Sequence, residues 1–297
     1  APEKCGRKVS ELCSLDDSPA DPVVVDSVDK ALQNASADLA FLTTSSDLER
    51  VVPQIEELVR RGLHVISTCE ELAYPWLTRP DLSQRLDRAA KDNGVSVLGT
   101  GVNPGFLMDL LPVVLSGVCE RVRSVQVWRL QDASFRRIPF QQKIGAGLDI
   151  DAFEEKKKTG TLRHVGLTES MHLIAAALGW ELDKTEDILE PVVAEGEVTS
   201  GYQPIRKGQA TGVQQVGHGY MNGEEVVTLF FRAAVGEPEP ADTVQLKGTP
   251  DIHSTIPGGV NGDIATCAIT VNAVSSVVRS QPGLKTMLDV PPVAAWS

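Results

Sequence analysis

Basic charge is scarce in this chain of 297 residues. Lysine and arginine number 28 against 40 aspartates and glutamates, a formal net charge of −12. Such a chain is poorly matched to the phosphates of nucleic acid or to an anionic membrane surface, and no partner of either kind is expected. Cysteine is also scarce: Cys5, Cys13, Cys69, Cys119 and Cys267, odd in number, widely spaced and without a C-x-x-C. This excludes a disulfide framework and a cysteine-rich zinc site, and it fits a reduced, cytoplasmic compartment. The five histidines form no H-E-x-x-H spacing, so no metal site is expected. No apolar run is long enough to span a bilayer, and there is no internal repeat or long low-complexity linker. What is present is ordinary for a globular protein, 42% hydrophobic and 23% charged residues. The length is near that at which one core gives way to two.

The first third alternates short apolar runs with amphipathic helices. Val23–Val25, Leu39–Leu42, His64–Thr68 and Val95–Leu98 are the apolar runs. Helices are expected over 28–36, then with Leu48, Val51, Val52, Ile55, Leu58 and Val59 on one face, then with Leu82, Leu86, Ala89 and Ala90. Asp47 is placed to cap the second helix and Gly62 to end it. Short apolar strands separated by helices imply βαβ units and a buried parallel sheet. The fold class is α/β, a doubly wound sheet in which ligands bind beyond the carboxyl ends of the strands. Those ends are Thr43–Asp47, Cys69–Glu71 and Gly99–Gly105, all small, polar or acidic.

Beyond residue 106 the pattern changes to α+β. A helix is expected from Phe106 to about Val118, then a strand with Val125, Val127 and Arg129. Residues 134–179 read as largely helical, with a polar segment Glu154–Gly160 between helices. Residues 182–256 read as mostly antiparallel strands, with a hairpin at Asn222-Gly223. A helix over 262–279 closes the pattern, with Ala265, Ala268, Ile269, Asn272 and Val277 on its packed face. The division is an α/β part over 1–112, onto which the 262–280 helix packs back, and a second domain over 113–261.

Each polar cluster has two readings. Gly99-Thr100-Gly101-Val102-Asn103-Pro104-Gly105 departs from G-x-G-x-x-G by one residue and is rejected as the main phosphate loop. It is either a ligand-free βα turn or a close backbone approach to a ligand, with Asn103 capping the next helix and Pro104 in its first turn. Glu70 and Glu71 are either an acid–base pair or first-turn carboxylates favoured by the helix dipole. Thr43, Thr44, Ser45 and Ser46 bond either ribose and phosphate oxygens or their own turn. His164 is either a pocket group or a satisfied surface histidine. Asn261 and Asp263 cap a helix whose N-terminus also suits a cofactor's polar edge.

The order of these blocks is more specific than any one of them. Ser67-Thr68-Cys69-Glu70-Glu71-Leu72-Ala73-Tyr74-Pro75, Gly99 to Phe106, Lys143-Ile144-Gly145-Ala146-Gly147, His164-Val165-Gly166-Leu167 and Pro257-Gly258-Gly259 with Gly262-Asp263 follow one another. This series resembles the NAD(P)-dependent native amine dehydrogenases and 2,4-diaminopentanoate dehydrogenases, whose nucleotide domain is similar to that of dihydrodipicolinate reductase. The resemblance implies reversible conversion of a primary amine to a ketone or aldehyde and ammonia, with NAD or NADP as cofactor. It implies that Glu70 is the catalytic carboxylate. Thr43, Thr44, Ser45, Ser46, Cys69, Gly101, Asn103, Pro104 and Asn261 would bind the cofactor, and Leu107, Met108 and His164 would shape the substrate pocket. The β region would form a homodimer interface. A different reductase of the dihydrodipicolinate reductase type and a degenerate, non-enzymatic nucleotide fold are the alternatives. One departure stands out. Such proteins open with a strand, a G-x-G-x-x-G turn, a helix and a second strand, and Ala1-Pro2-Glu3-Lys4 corresponds to the segment after that strand. The sequence therefore reads as the Rossmann-like fold of a longer protein, N-terminally incomplete, with unpaired edges and exposed apolar surface expected there.

Overall fold

The computed structural model describes residues 2–14, 20–33, 35–160, 162 and 164–295. Its first sheet contains β1 (Leu39–Leu42), β2 (His64–Ser67) and β3 (Ser96–Gly99). Its second is built from β4 (Arg121–Asp132), β5 (Lys184–Val193), β8 (Ala210–Met221), β9 (Glu224–Ala234), β10 (Ala241–Thr249) and β11 (Ile252–Pro257). The short strands β6 (Val198–Thr199) and β7 (Pro204–Ile205) pair with each other. A last strand, β12 (Gly283–Lys285), which the sequence reading does not contain, returns to the first sheet.

The first sheet has the order β1-β2-β3-β12, and every pair in it is parallel. Its residues alternate between two cores, as strand geometry requires. Val65 and Val97 face one core, which the helices Leu48–Val59 and Pro80–Asp92 cover with Leu48, Val51, Ile55 and Leu86. Ile66 and Leu98 face the other, made with Ala273, Val277 and Met287. Asp47 caps the first helix by accepting from the N–H groups of Glu49 and Arg50. The outer edge of β1 pairs with no strand among the described residues, and Phe41 on it is 48% exposed.

The second sheet has the order β11-β10-β4-β9-β8-β5. It is antiparallel except that β4 and β9 run parallel. Asn222 and Gly223 both take positive φ, 54° and 78°, in the two-residue turn that joins β8 and β9. Val125, Val127, Val213, Leu229 and Val244 point to one buried face, against which the helix Leu167–Leu178 packs with Leu167, Met171 and Ile174.

Several helical expectations change. The helix expected from Phe106 begins at Leu110 and ends at Ser116. Asp109 caps it by accepting from Leu110 N–H, and its other oxygen accepts from Gly105 N–H and the Ser170 hydroxyl, folding 103–109 into turns. Asn103 is therefore not the cap. The polar segment Glu154–Gly160 is mostly helix itself, Ile150–Lys158, anchored by buried Phe153. The C-terminal helix breaks at Ala273 into Gly262–Asn272 and Val274–Val278, and Ala268 is exposed rather than packed. Of the helix expected over 28–36, Val28–Leu32 forms, and residue 34 lies outside the described residues. The Val23–Val25 run makes only a bridge between Val23 and Lys8.

Candidate active site

A cleft of about 530 Å³ opens where the carboxyl ends of β2 and β3 meet the inner face of the second sheet. Glu70 and Asn103 reach it from the first sheet, and Arg129, Gln131 and Phe231 from β4 and β9. The helix Ile138–Lys143 adds Phe140 and Lys143, and Thr266 comes from Gly262–Asn272. A larger groove of about 790 Å³ lies at the opposite end of β4 and β9, by Arg121, Trp180 and Asn222. It gathers none of the catalytic, cofactor or pocket candidates named from the sequence, so the smaller cleft is the candidate site.

The two adjacent glutamates part company. Glu71 turns back and accepts from Leu48 N–H at 2.8 Å, serving the helix N-terminus. Glu70 points into the cleft with its side chain 21% exposed, and its Oε1 lies 3.8 Å from Lys143 Nζ. The structure thus separates the pair: Glu71 bonds a helix N-terminus and Glu70 alone lines the cleft.

Asn103 and His164 face each other across the cleft wall. The Asn103 amide donates to His164 Nε2 at 2.9 Å and to the Met108 sulfur at 3.1 Å. The imidazole stacks on Phe231, ring centres 4.5 Å apart and 18° from coplanar. The loop carrying Asn103 is tied to the neighbouring helix where Val102 N–H donates to the Thr266 hydroxyl. A Cβ at Gly105, whose φ is +120°, would lie 2.5 Å from Gly101 N, so this loop folds tightly on itself. The Asp109 carboxylate already takes the Gly105 N–H. An internal carboxyl group thus takes the N–H that a phosphate loop would present to a ligand. Burial pushes the Asp109 carboxyl above its ordinary value, and the hydrogen bonds from Gly105, Leu110 and Ser170 oppose the rise.

Arg129 and Phe231 line the floor, and they belong to a row of side chains in register across four strands. Gln215 pairs with Phe231, Phe231 with Arg129, and Arg129 with Asp242. Arg129 is 1% exposed; it donates to Asp242 at 2.6 Å and to the Val260 carbonyl at 3.1 Å. Its Nε is buried without a partner. Burial presses the Arg129 guanidinium below its ordinary value, and the charge and hydrogen bond of Asp242 oppose this; a guanidinium stays protonated in any case. At the mouth, Arg136 lies over the Phe140 ring at 3.8 Å and donates to Asp263 and to Gln131. Arg137 also donates to Asp263. Burial raises the Asp263 carboxyl, but the hydrogen bonds and charges of the two arginines reverse this and leave it below its ordinary value.

The remaining candidates lie elsewhere. Leu107 and Met108, expected in the substrate pocket, are 2% and 0% exposed and belong to the hydrophobic core. Cys69 is buried, its thiol donates to the Ser46 carbonyl, and burial pushes its pKa up to about 12, so it is neutral and inert. Thr44 bonds Gln54, and the Ser45 hydroxyl accepts from Asp47 N–H, while Thr43 is exposed at the end of β1. Pro104 packs against the Gly166 backbone. Asn261 caps the helix Gly262–Asn272, accepting from the Asp263 and Ile264 N–H groups. Sequence reasoning missed Arg129, Gln131, Phe231 and Gln215 as site residues. The available signal was an arginine at an inward position of the Val125–Val127–Arg129 alternation. Among the described residues there is no cluster of histidine, cysteine and carboxylate side chains able to hold a metal, and no helix is long and apolar enough to cross a membrane.

A Rossmann-like parallel sheet joined to a large mixed sheet, with a carboxylate in the cleft between them, defines a two-sheet α/β class. The amine dehydrogenase of Mycobacterium smegmatis has this fold, with a TM-score of 0.86 at 21% identity over 100% of this chain and 88% of that one. The model of the 2,4-diaminopentanoate dehydrogenase C-terminal domain matches residues 106–297. The 2,4-diaminopentanoate dehydrogenase of Acetoanaerobium sticklandii is 35% identical over 276 residues, 91% of this chain and 78% of that protein. An amine dehydrogenase of Streptomyces virginiae is 25% identical over 98% of this chain and 87% of that protein. The chain belongs to the 2,4-diaminopentanoate dehydrogenase family.

Proposed function

We propose that this protein is an NAD(P)-dependent oxidoreductase that interconverts a carboxylate-bearing primary amine with the corresponding ketone or aldehyde and ammonia. The observation that carries the choice of substrate is the charge of the cleft. Arg129, Arg136, Arg137 and Lys143 surround it, against Glu70, Asp263 and, behind Arg129, Asp242. That leaves one positive charge in a chain whose net charge is −12. A carboxylate on the amine fits this excess, as the name 2,4-diaminopentanoate of the relative's substrate also suggests.

The cofactor's donor set is partly represented. The hydroxyls of Thr43 to Ser46 and the Asn103 amide lie at or near the carboxyl ends of parallel strands, uncharged groups suited to a ribose and a carboxamide. Bound nicotinamide supplies the hydride acceptor. Glu70 takes a proton from the substrate ammonium, freeing the nitrogen lone pair to assist loss of the C–H hydride. The iminium that results is a cation beside a carboxylate. Glu70 passes that first proton to solvent, takes one from the water that attacks this carbon and delivers it to nitrogen; as the C–N bond breaks and ammonia leaves, the hydroxyl proton passes to Glu70 and the carbonyl forms. Its partial exposure lets the proton exchange with solvent. Asn103 and His164 shape the wall, and Lys143 and Arg137 receive the substrate carboxylate.

In this reading residues 1–112 with the 262–280 segment hold the nucleotide, and 113–261 hold the substrate and the dimer contact. A homodimer in the cytoplasm is part of the proposal. Ile188, Val216, Phe230 and Trp128 form an apolar row on the face of the large sheet turned away from the helices, which suits a second copy.

The test is NAD(P)H oxidation with a keto acid, with and without ammonium. Ammonium-dependent turnover is expected, and Glu70→Gln is expected to lower it at least ~10²-fold. Turnover indifferent to ammonium would move the protein to a reductase of the dihydrodipicolinate type. Lys143→Met is expected to raise KM for a carboxylated amine about two- to fivefold and to leave a neutral amine unchanged, as loss of one exposed charge contact implies.

A further inference from the structure

Gln215 is a polar side chain with no exposure at all, on the middle of β8. Both ends of its amide are used, and both are used on one residue. Its Oε1 accepts from the His164 N–H at 2.7 Å, and its Nε2 donates to the His164 carbonyl at 2.9 Å. The side chain thus closes a two-point ring with the backbone of His164, as a paired strand residue would. The same Nε2 donates to the Asp187 carboxylate on β5, at 2.8 and 2.9 Å.

His164 needs such a support. It lies in a connection between the helices Ile150–Lys158 and Leu167–Leu178, outside any strand or helix. Gly166, two residues on, has φ +112°, and a Cβ there would come within 2.5 Å of Pro104. The imidazole is aimed at the cleft by three contacts: the ring of Phe231, the amide of Asn103, and Gln215 on its backbone. Gln215 and Phe231 are register partners on adjacent strands. The second sheet therefore holds the histidine's ring with one strand and its backbone with the next.

We infer that Gln215, oriented by Asp187, is the positioning residue that sets the His164 imidazole on the substrate wall. Gln215 does not line the cleft, so it acts through His164. The inference rests on the reading that this cleft binds the amine. Removing the amide takes the partner from a part-buried N–H and a part-buried C=O of His164. The loop then shifts to satisfy them and carries the ring with it, and displacements near 1 Å cost about 10²-fold in rate.

The experiment is a double-mutant cycle with Gln215→Met and His164→Ala. Gln215→Met is expected to raise KM for the amine and lower kcat/KM by ~10- to 100-fold, with KM for NAD(P) unchanged. The double variant is expected to be no worse than His164→Ala alone, because the two changes act on one element. Losses that multiply, or an unchanged amine KM in folded Gln215→Met, overturn the inference. Should Gln215→Met not fold, Asp187→Asn carries the test at an exposed position: a rise of a few-fold in amine KM alone is expected, since an acceptor for the amide is weakened, and no change overturns it. Glu70→Gln separates the two levels. If it remains fully active, the reading of the site fails; if it is inactive while Gln215→Met behaves as wild type, only the role of Gln215 fails.

Discussion

In the parallel sheet the apolar strand residues serve packing. Val65, Ile66, Val97 and Leu98 are all fully buried between two cores, and the candidate chemistry sits just past the strands, on Glu70 and Asn103. In the large sheet the site groups Arg129, Gln215 and Phe231 stand on the strands themselves, flanked by apolar rows. A loop residue at a strand end can be exchanged without disturbing a core, whereas a polar residue inside a sheet must be satisfied by its neighbours. The two halves should therefore couple activity to stability differently.

The largest effect is expected where that coupling is tightest. Asp242→Leu leaves the Arg129 guanidinium buried and uncompensated, and strips the Val260 N–H of its acceptor. A loss of about 3–5 kcal/mol is expected in denaturant unfolding, with activity lost in parallel. A loss below 1 kcal/mol would show that water or Val260 satisfies Arg129 and that the large sheet tolerates polar change as the loops do. In the small sheet, Ile55→Ala removes a fully buried side chain from the helix Leu48–Val59 and should cost about 2–5 kcal/mol. Hydrogen exchange should then speed up in β1 and β2 before it does in β8 and β9. Uniform acceleration would mean that the two sheets open as one unit. Glu70→Gln completes the contrast: activity falls as stated above, while stability stays within about 0.5 kcal/mol. A drop of several degrees in Tm would place Glu70 among the structural groups and break the comparison.

The same difference explains what could be read from sequence. The strands and helices of the first sheet follow from local apolar periodicity, and the polar loops at their carboxyl ends follow from the architecture. Glu70 and Asn103 were legible for that reason. The row Gln215–Phe231–Arg129–Asp242 depends on register between segments up to 113 residues apart, and no local pattern carries that. Leu107 and Met108 were misplaced by a related cause. Their helix was expected to start at Phe106, but Asp109, which accepts from the nearby Gly105 N–H and from the distant Ser170 hydroxyl, delays it to Leu110, and both side chains lie in the core. The strand β12 is only three residues long and returns from far along the chain, too short for a periodic signal.

The smallest effect bears on how the parallel sheet is knitted at the start of its two central strands. His64 opens β2, and its Nδ1 accepts from the Ser96 N–H at 3.0 Å, standing in for a backbone carbonyl at the start of β3. Burial lowers the His64 pKa, with the charge of Asp38 opposing. The folded protein thus binds the proton less readily than the unfolded chain does. The stabilisation is present above the ordinary histidine value of about 6.5 and is lost as the pH falls through it toward the lower folded value. Protonation also turns the acceptor into a donor facing another donor. His172, on the helix over the large sheet, is lowered by burial alone, so its titration should leave β2 and β3 untouched. Amide exchange at Ser96, corrected for its intrinsic pH dependence, is expected to accelerate between pH 7.5 and 5.5 in the wild type and to lose that extra dependence in His64→Gln, while His172→Gln keeps it. If Ser96 exchange showed no excess acceleration, the ring would not be part of the ladder, and the start of β2 and β3 would be held by backbone bonds and apolar packing alone.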